Sequence, residues 1–156
     1  MAISTNDVVL KFGTLDAVDD GTTSAVNDAA MSAAADITAW TNDDDAPGAA
    51  LILRWQYPSG TIDGNIEIYA RPINIDGTDD QPQPDSTYKH AYVGQFTIDT
   101  AQAATTDTVY QIYVDLSHLT VKTSQEFEFY LYNDSGVQMS ANWDLDIVPI
   151  SVGPHA

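Results

Sequence analysis

The chain reads as all-β: a single antiparallel β-sandwich, jelly-roll-like, with about eight short strands and room for one short N-terminal helix. Three observations predict this. Apolar and polar residues alternate with period two in segment after segment, and turn-forming Asn, Asp, Gly and Pro separate those segments. Eight such short segments in 156 residues match the strand count of a sandwich or jelly roll.

Each element has its own justification. "VVLKF" (8–12) is a first strand, and "DITAW" (36–40) is a further one. Between them, "NDAAMSAAADI" (27–37) is rich in alanine and opens on Asn and Asp, which predicts a short helix, with an irregular strand as its competitor. "NDDDAPG" (42–48) is a charged loop closed by Pro and Gly. "LILRWQY" (51–57) begins the central set and runs into the turn "PSGT" (58–61). In "NIEIYARPI" (65–73), Ile66, Ile68 and Ala70 point one way, and Glu67, Tyr69 and Arg71 the other. "AYVGQFTI" (91–98) follows a long polar loop, and "VYQIYVDL" (109–116) sets Tyr110, Ile112, Val114 and Leu116 on one face. "EFEFYLYN" (126–133) turns Phe127, Phe129 and Leu131 inward, and Glu126, Glu128, Tyr130 and Tyr132 outward. The turn "NDSG" (133–136) supplies residues that tolerate left-handed backbone, and "WDLDIVPI" (143–150) closes the set. All 156 residues form one domain, with N-terminal strands and a docking segment in 1–50 and the sandwich core in 51–150.

Composition excludes several function classes. No cysteine is present, so there are no disulfides, thiolate nucleophiles or cysteine-ligated metals. There are 23 acidic against five basic residues, a net charge of −18, and twenty of the acids are aspartate. Phosphate backbones are bound by Lys and Arg, so nucleic acid is not an expected partner, nor is an anionic membrane surface. The opening "MAISTNDVVLKF" lacks a basic start followed by an apolar stretch, so it reads without a secretory signal.

The chemistry-bearing patterns are thin. His90, His118 and His155 have no spacing that brings two to one metal, and no G-x-S-x-G or Gly-rich phosphate cradle occurs. Aligning Gly77 or Gly48 with the sixth position of an EF-hand loop puts Pro72 at the first position or Arg54 at the twelfth, so both registers fail. Asp76, Asp79 and Asp80, or Asp43, Asp44 and Asp45, offer an irregular oxygen site, although solvated loops are commoner. The expectation is a non-enzymatic protein with no cofactor and no essential metal.

Interaction features are clearer. Tyr69, Tyr130 and Tyr132 fall on outward faces, where aromatics serve a protein interface or a carbohydrate site, while Trp40, Trp55 and Trp143 lie in strands that bury them. The segment "NIDGTDDQPQPDSTYKH" (74–90) is far longer than a hairpin requires. Pro82 and Pro84 stiffen it, and Asp79, Asp80 and Asp85 give it charge. It reads as a pre-stiffened arm that grips basic residues of a neighbour. Replacing 77–87 with a short Gly-Ser turn should then weaken attachment while leaving the melting midpoint nearly intact.

"EIYARPINIDGTDDQPQP", "HAYVGQFTI" and "EFEFYLYNDSGVQMSANWDLDIVPI" together resemble a group of small tailed-bacteriophage virion proteins. The shared layout is a strand ending in a Pro-containing "DGT" loop, a hydrophobic strand, a "Y-L-x-N-x-[ST]-G" hairpin and a last strand. The likeness spans roughly residues 51–150 and implies a capsid decoration (cement) protein of β-sandwich or jelly-roll fold. On that resemblance the chain is a structural protein of the virion exterior, made in the bacterial cytoplasm. It would bridge subunits of the major capsid protein and associate with copies of itself. The alternative is a carbohydrate-binding or adhesin-type sandwich on a phage tail or cell surface.

Overall fold

Once every second residue of a strand is apolar, the strand needs a second layer to cover that face. The structure, a computed structural model, describes residues 8–21, 24–55, 62, 64–76, 80–89, 91–98 and 108–154. Ten strands lie within them: β1 (Val8–Phe12), β2 (Asp16–Asp20), β3 (Ala30–Met31), β4 (Trp40–Thr41), β5 (Gly48–Trp55), β6 (Asn65–Ile73), β7 (Ala91–Thr97), β8 (Thr108–Asp115), β9 (Glu126–Asp134) and β10 (Asp144–Pro154). They form two antiparallel five-stranded sheets, a β-sandwich.

In the first sheet the order is β1-β10-β5-β8, with β2 also on β10; in the second it is β3-β9-β6-β7, with β4 also on β9. Reading β2, β10, β5, β8 in one layer and β4, β9, β6, β7 in the other gives the strand order of a jelly roll. From β4 to β10 successive strands alternate between layers except β6 and β7, which pair directly. The register Leu51↔Ile147 and Leu51↔Ile112 aligns the inward residues of three strands in the first sheet. Ile68↔Leu131 does the same in the second.

Between the layers lie Leu51, Leu53, Trp55, Ile66, Ile68, Phe96, Phe127, Phe129, Leu131, Trp143, Leu145 and Ile147, all buried. The predicted inward faces of the segments at 65–73, 109–116 and 126–133 are the ones that pack here. Trp40 stacks on Phe127 with ring centroids 6.3 Å apart, and Trp40, Trp55 and Trp143 are all buried. The turn after β9 is fixed by Asn133: its Nδ2 donates to the Val137 carbonyl at 2.7 Å, its Oδ1 accepts from the Ser135 hydroxyl at 2.7 Å, and Gly136 takes φ 80°.

Three expectations need correction. The alanine-rich stretch at 27–37 forms no α-helix: it holds β3, an extended link and a single 3-10 turn at Ala34–Asp36. Alanine offers too little apolar surface to hold a helix against the sandwich, so the backbone bonds to β9 instead, Ala29 N–H to Asn133 O at 2.8 Å and Ser32 N–H to Leu131 O at 2.7 Å. The strand expected at 36–40 shrinks to Trp40–Thr41, because Asp36 belongs to the 3-10 turn. β10 continues to Pro154, beyond the expected end at Ile150, because β1 pairs with its last residues. The turn at 58–61 lies outside the described residues.

Candidate functional site

Each sheet has an outer face, and the two faces differ in chemistry. On the second sheet, Glu67, Tyr69 and Arg71 of β6 stand beside Tyr132, Tyr130 and Glu128 of β9 in direct register. An open sheet would leave these side chains wet, yet Tyr69, Arg71 and Tyr130 are buried, Tyr130 at 1% exposure. Residues 80–89 run back across this face as a strap. Asn74 turns the chain out of β6 at φ 52°, a left-handed conformation asparagine accepts more readily than most residues. Arg71 Nε then donates to the Gln81 carbonyl at 2.6 Å, and Pro84 is buried. At the far end Lys89 lies 3.3 Å from the Tyr132 ring centroid and 5.3 Å from that of Tyr69.

Beneath the strap the charged groups and two of the phenols pair with one another. Glu128 accepts from Arg71 and from the Tyr130 hydroxyl, each at 2.7 Å. Glu67 accepts from the Tyr69 hydroxyl at 2.6 Å and from Lys89 at 3.0 Å. Burial pushes both phenols well up, and the neighbouring glutamates push further in the same direction. Burial works against the Arg71 charge, but the bonds to Glu128 outweigh it and hold the guanidinium above its ordinary value. This is a locked structural network.

The predicted interaction residues therefore divide. Tyr69 and Tyr130 are on the outward face, as alternation requires, but the strap covers them, so neither is an exposed contact. Tyr132 is half-buried beneath Lys89. Asp80 accepts the Asn74 N–H at 2.8 Å and sits 3.8 Å from Arg71, so it serves its own chain. Asp85 accepts the N–H groups of Thr87 at 2.7 Å and Tyr88 at 2.6 Å, which holds its carboxyl below the usual range. Pro82 is exposed and Pro84 buried. Asp79, His90 and His155 lie outside the described residues. Instead of reaching out as an arm, residues 80–89 fold onto their own sheet.

On the first sheet, none of the described residues covers the outer face. Inward Leu51, Leu53, Leu145 and Ile147 leave Ala50, Ile52, Val148, Ile150 and Val152 facing out. Pairing Leu10↔Val152 and Phe12↔Ile150 sets β1 on the same side. Tyr113 of β8 lies across Gly48, where an added Cβ would be 2.1 Å from the Tyr113 hydroxyl. Val8, Leu10, Phe12, Tyr113 and Val152 are between 61% and 72% exposed. Together they offer on the order of 500 Å² of apolar surface, as much as the largest patch on an ordinary monomer. Charge enters the end of this face through Arg54, paired with the buried Asp146. The alternation in "VVLKF" signals a strand, but nothing in it marks its apolar side as one that stays exposed.

The acidic loops hold no gathered ligands: among the described residues no group of three or more His, Cys, Asp or Glu is placed to hold a metal. Asp45 accepts the Ser124 N–H at 2.8 Å, and Asp43 and Asp44 line a small open cleft with Asp16 and Trp40. His118 is exposed in the turn after β8. Compared with known protein families, curated proteins and solved structures, the chain matches none.

Proposed function

We propose that this protein is a non-enzymatic structural component of a tailed-phage virion that decorates the capsid exterior and bridges neighbouring subunits of the major capsid protein through the outer face of its first sheet. The observation that carries this reading is the apolar outer face of β1, β10, β5 and β8, set opposite a face the chain covers itself. Jelly rolls serve both viral shells and lectins, so the fold alone decides nothing, and the argument rests on the surface. A broad sheet face with an apolar centre, and with charge at its two ends from Arg54 and Asp115, fits an extended protein surface better than a small ligand, which takes a concave site. The net charge of −18 favours a partner whose apolar strip is bordered by basic groups. Repetition around a symmetric shell would turn modest contacts into stable attachment.

Co-sedimentation with shells assembled from a tailed-phage major capsid protein tests this. Wild-type chain should pellet with the shells, and Phe12→Glu should stay in the supernatant with an unchanged melting midpoint. Wild-type chain that stays behind, or a variant that pellets equally well, overturns the proposal.

A further inference from the structure

A carboxylate points into the interior where the N-terminal strands close against the sandwich. Asp19 of β2 is opposite Leu145, whose side chain is core, and the register slips beside this pair so that Val18 and Asp19 are both buried. Asp19 is 1% exposed, and neither of its oxygens meets a donor in full hydrogen-bonding geometry, the Ser32 hydroxyl and the Asp20 N–H being the nearest donors. Beside it, across the bridge between Asp19 and Ile37, is Asp36, whose Oδ2 is likewise buried and unpartnered while Oδ1 accepts from the Ser24 hydroxyl at 2.9 Å. The Ser32 hydroxyl, close to Asp19, accepts the Leu131 N–H at 3.1 Å and is held in place by it. Burial pushes the Asp19 carboxyl up to about 8; nearby Ser32 tempers this and the charge of Asp36 adds to it.

We propose that Asp19 and Asp36 form a structural site for a hard divalent cation, calcium by its chemistry, held by their three unpartnered carboxylate oxygens and the Ser32 hydroxyl. Buried carboxylate oxygens without well-placed donors are costly, and a native fold keeps them where a cation or a shared proton compensates them. Two carboxylates balance one divalent charge, whereas a single shared proton leaves one negative charge in the interior. The donors are all oxygen, which selects hard cations over zinc or copper. Bound there, the ion ties β2 to the 3-10 turn and so fastens the N-terminal strands to the second sheet.

The test uses the full chain stripped with EDTA and melted at pH 7 with and without 1 mM calcium chloride. A site of about 10 μM affinity raises the midpoint by roughly 5–10 °C in a domain of this size. Asp19→Asn keeps the shape and removes the charge. Its calcium shift should fall below about 1 °C, and without metal it should melt at or above the metal-free wild type. Calcium held loosely by surface aspartates does not depend on Asp19, so a variant that keeps the shift overturns the site. So does a wild type indifferent to calcium alongside a more stable Asp19→Asn, which is the signature of a shared proton. Should Asp19→Asn not fold, Asp36→Asn carries the same expectations.

Discussion

Replacing residues 77–87 with a short Gly-Ser turn removes most of the strap, and the structure predicts a substantial loss of stability. Arg71, 7% exposed, loses its 2.6 Å acceptor at Gln81, which leaves a buried charged N–H unpartnered, at a cost of about 1.5–3 kcal/mol. The Arg71–Asp80 pair is 3.8 Å long and its aspartate 42% exposed, so it adds only a few tenths of a kcal/mol. Uncovering Tyr69 and Tyr130 and losing buried Pro84 exposes on the order of 100 Å² of apolar surface, about 2.5 kcal/mol. A shorter loop returns less than about 1 kcal/mol in closure entropy. The net loss is about 4 kcal/mol, which lowers the midpoint by roughly 10 °C at this chain length. Thermal unfolding followed by circular dichroism at pH 7 measures it, and the β-rich spectrum at low temperature should persist. A midpoint within about 2 °C of wild type would show that the strap is a surface loop and that the tyrosines are covered by something else.

Other perturbations isolate other parts. Phe12→Glu, at a site 67% exposed, should change unfolding free energy by less than about 0.5 kcal/mol in urea while abolishing attachment to shells. Gly21→Ala should cost about 2–3 kcal/mol in the same assay, since its Cβ would be 2.0 Å from the fully buried Trp143 ring, which is held by a 2.9 Å bond to the Ser24 carbonyl. The Asp85 carboxyl is held below its ordinary value in the folded chain, so its contribution is present above about pH 4 and lost as pH falls through the lower folded value. Hydrogen exchange at Thr87 and Tyr88, corrected for its intrinsic pH dependence, should therefore lose protection under acid, and unchanged protection at about pH 2 would refute the cap.

Period-two alternation made the sandwich legible because burial on one face leaves a mark at every second residue of a strand. It placed Ile66, Ile68, Phe127, Phe129 and Leu131 inward, where they pack. Alternation also placed Tyr69 and Tyr130 outward, but outward is not the same as exposed. Whether a face is wet depends on what folds over it, and no local pattern in residues 80–89 announces that Gln81 will meet Arg71. The same loop composition suits a free arm and a strap, since prolines limit backbone freedom in both. At 27–37, helix propensity was the visible signal, and tertiary pairing with β9 overrode it. The Asp19–Asp36 pair was out of reach for another reason. Asp19 reads as one more turn-like aspartate among twenty, and only a register slip beside Leu145 turns it inward.

The contrast between the two outer faces bears on how such a protein would sit on a partner. A chain with net charge −18 can bury little of its surface against another protein without desolvating carboxylates, and each one buried unpaired is costly. The outer face of β1, β10, β5 and β8 avoids that cost, because its centre is apolar and the buried Asp146 beside it is already paired with Arg54. The strapped face has spent its cations internally: Arg71 on Glu128 and Gln81, Lys89 on Glu67 and two tyrosine rings. It offers solvent the exposed carboxylates of Asp80 and Asp85. Docking through the first sheet therefore leaves an acidic face outward, where like charge discourages a second layer of copies from stacking on the first. An orientation with the strap inward would have to strip those acids of water or find arginines to meet them. Charge reversal separates the two: Asp80→Lys combined with Asp85→Lys should leave attachment to shells within about twofold if the first sheet faces the partner, and should weaken it by more than tenfold if the strap does.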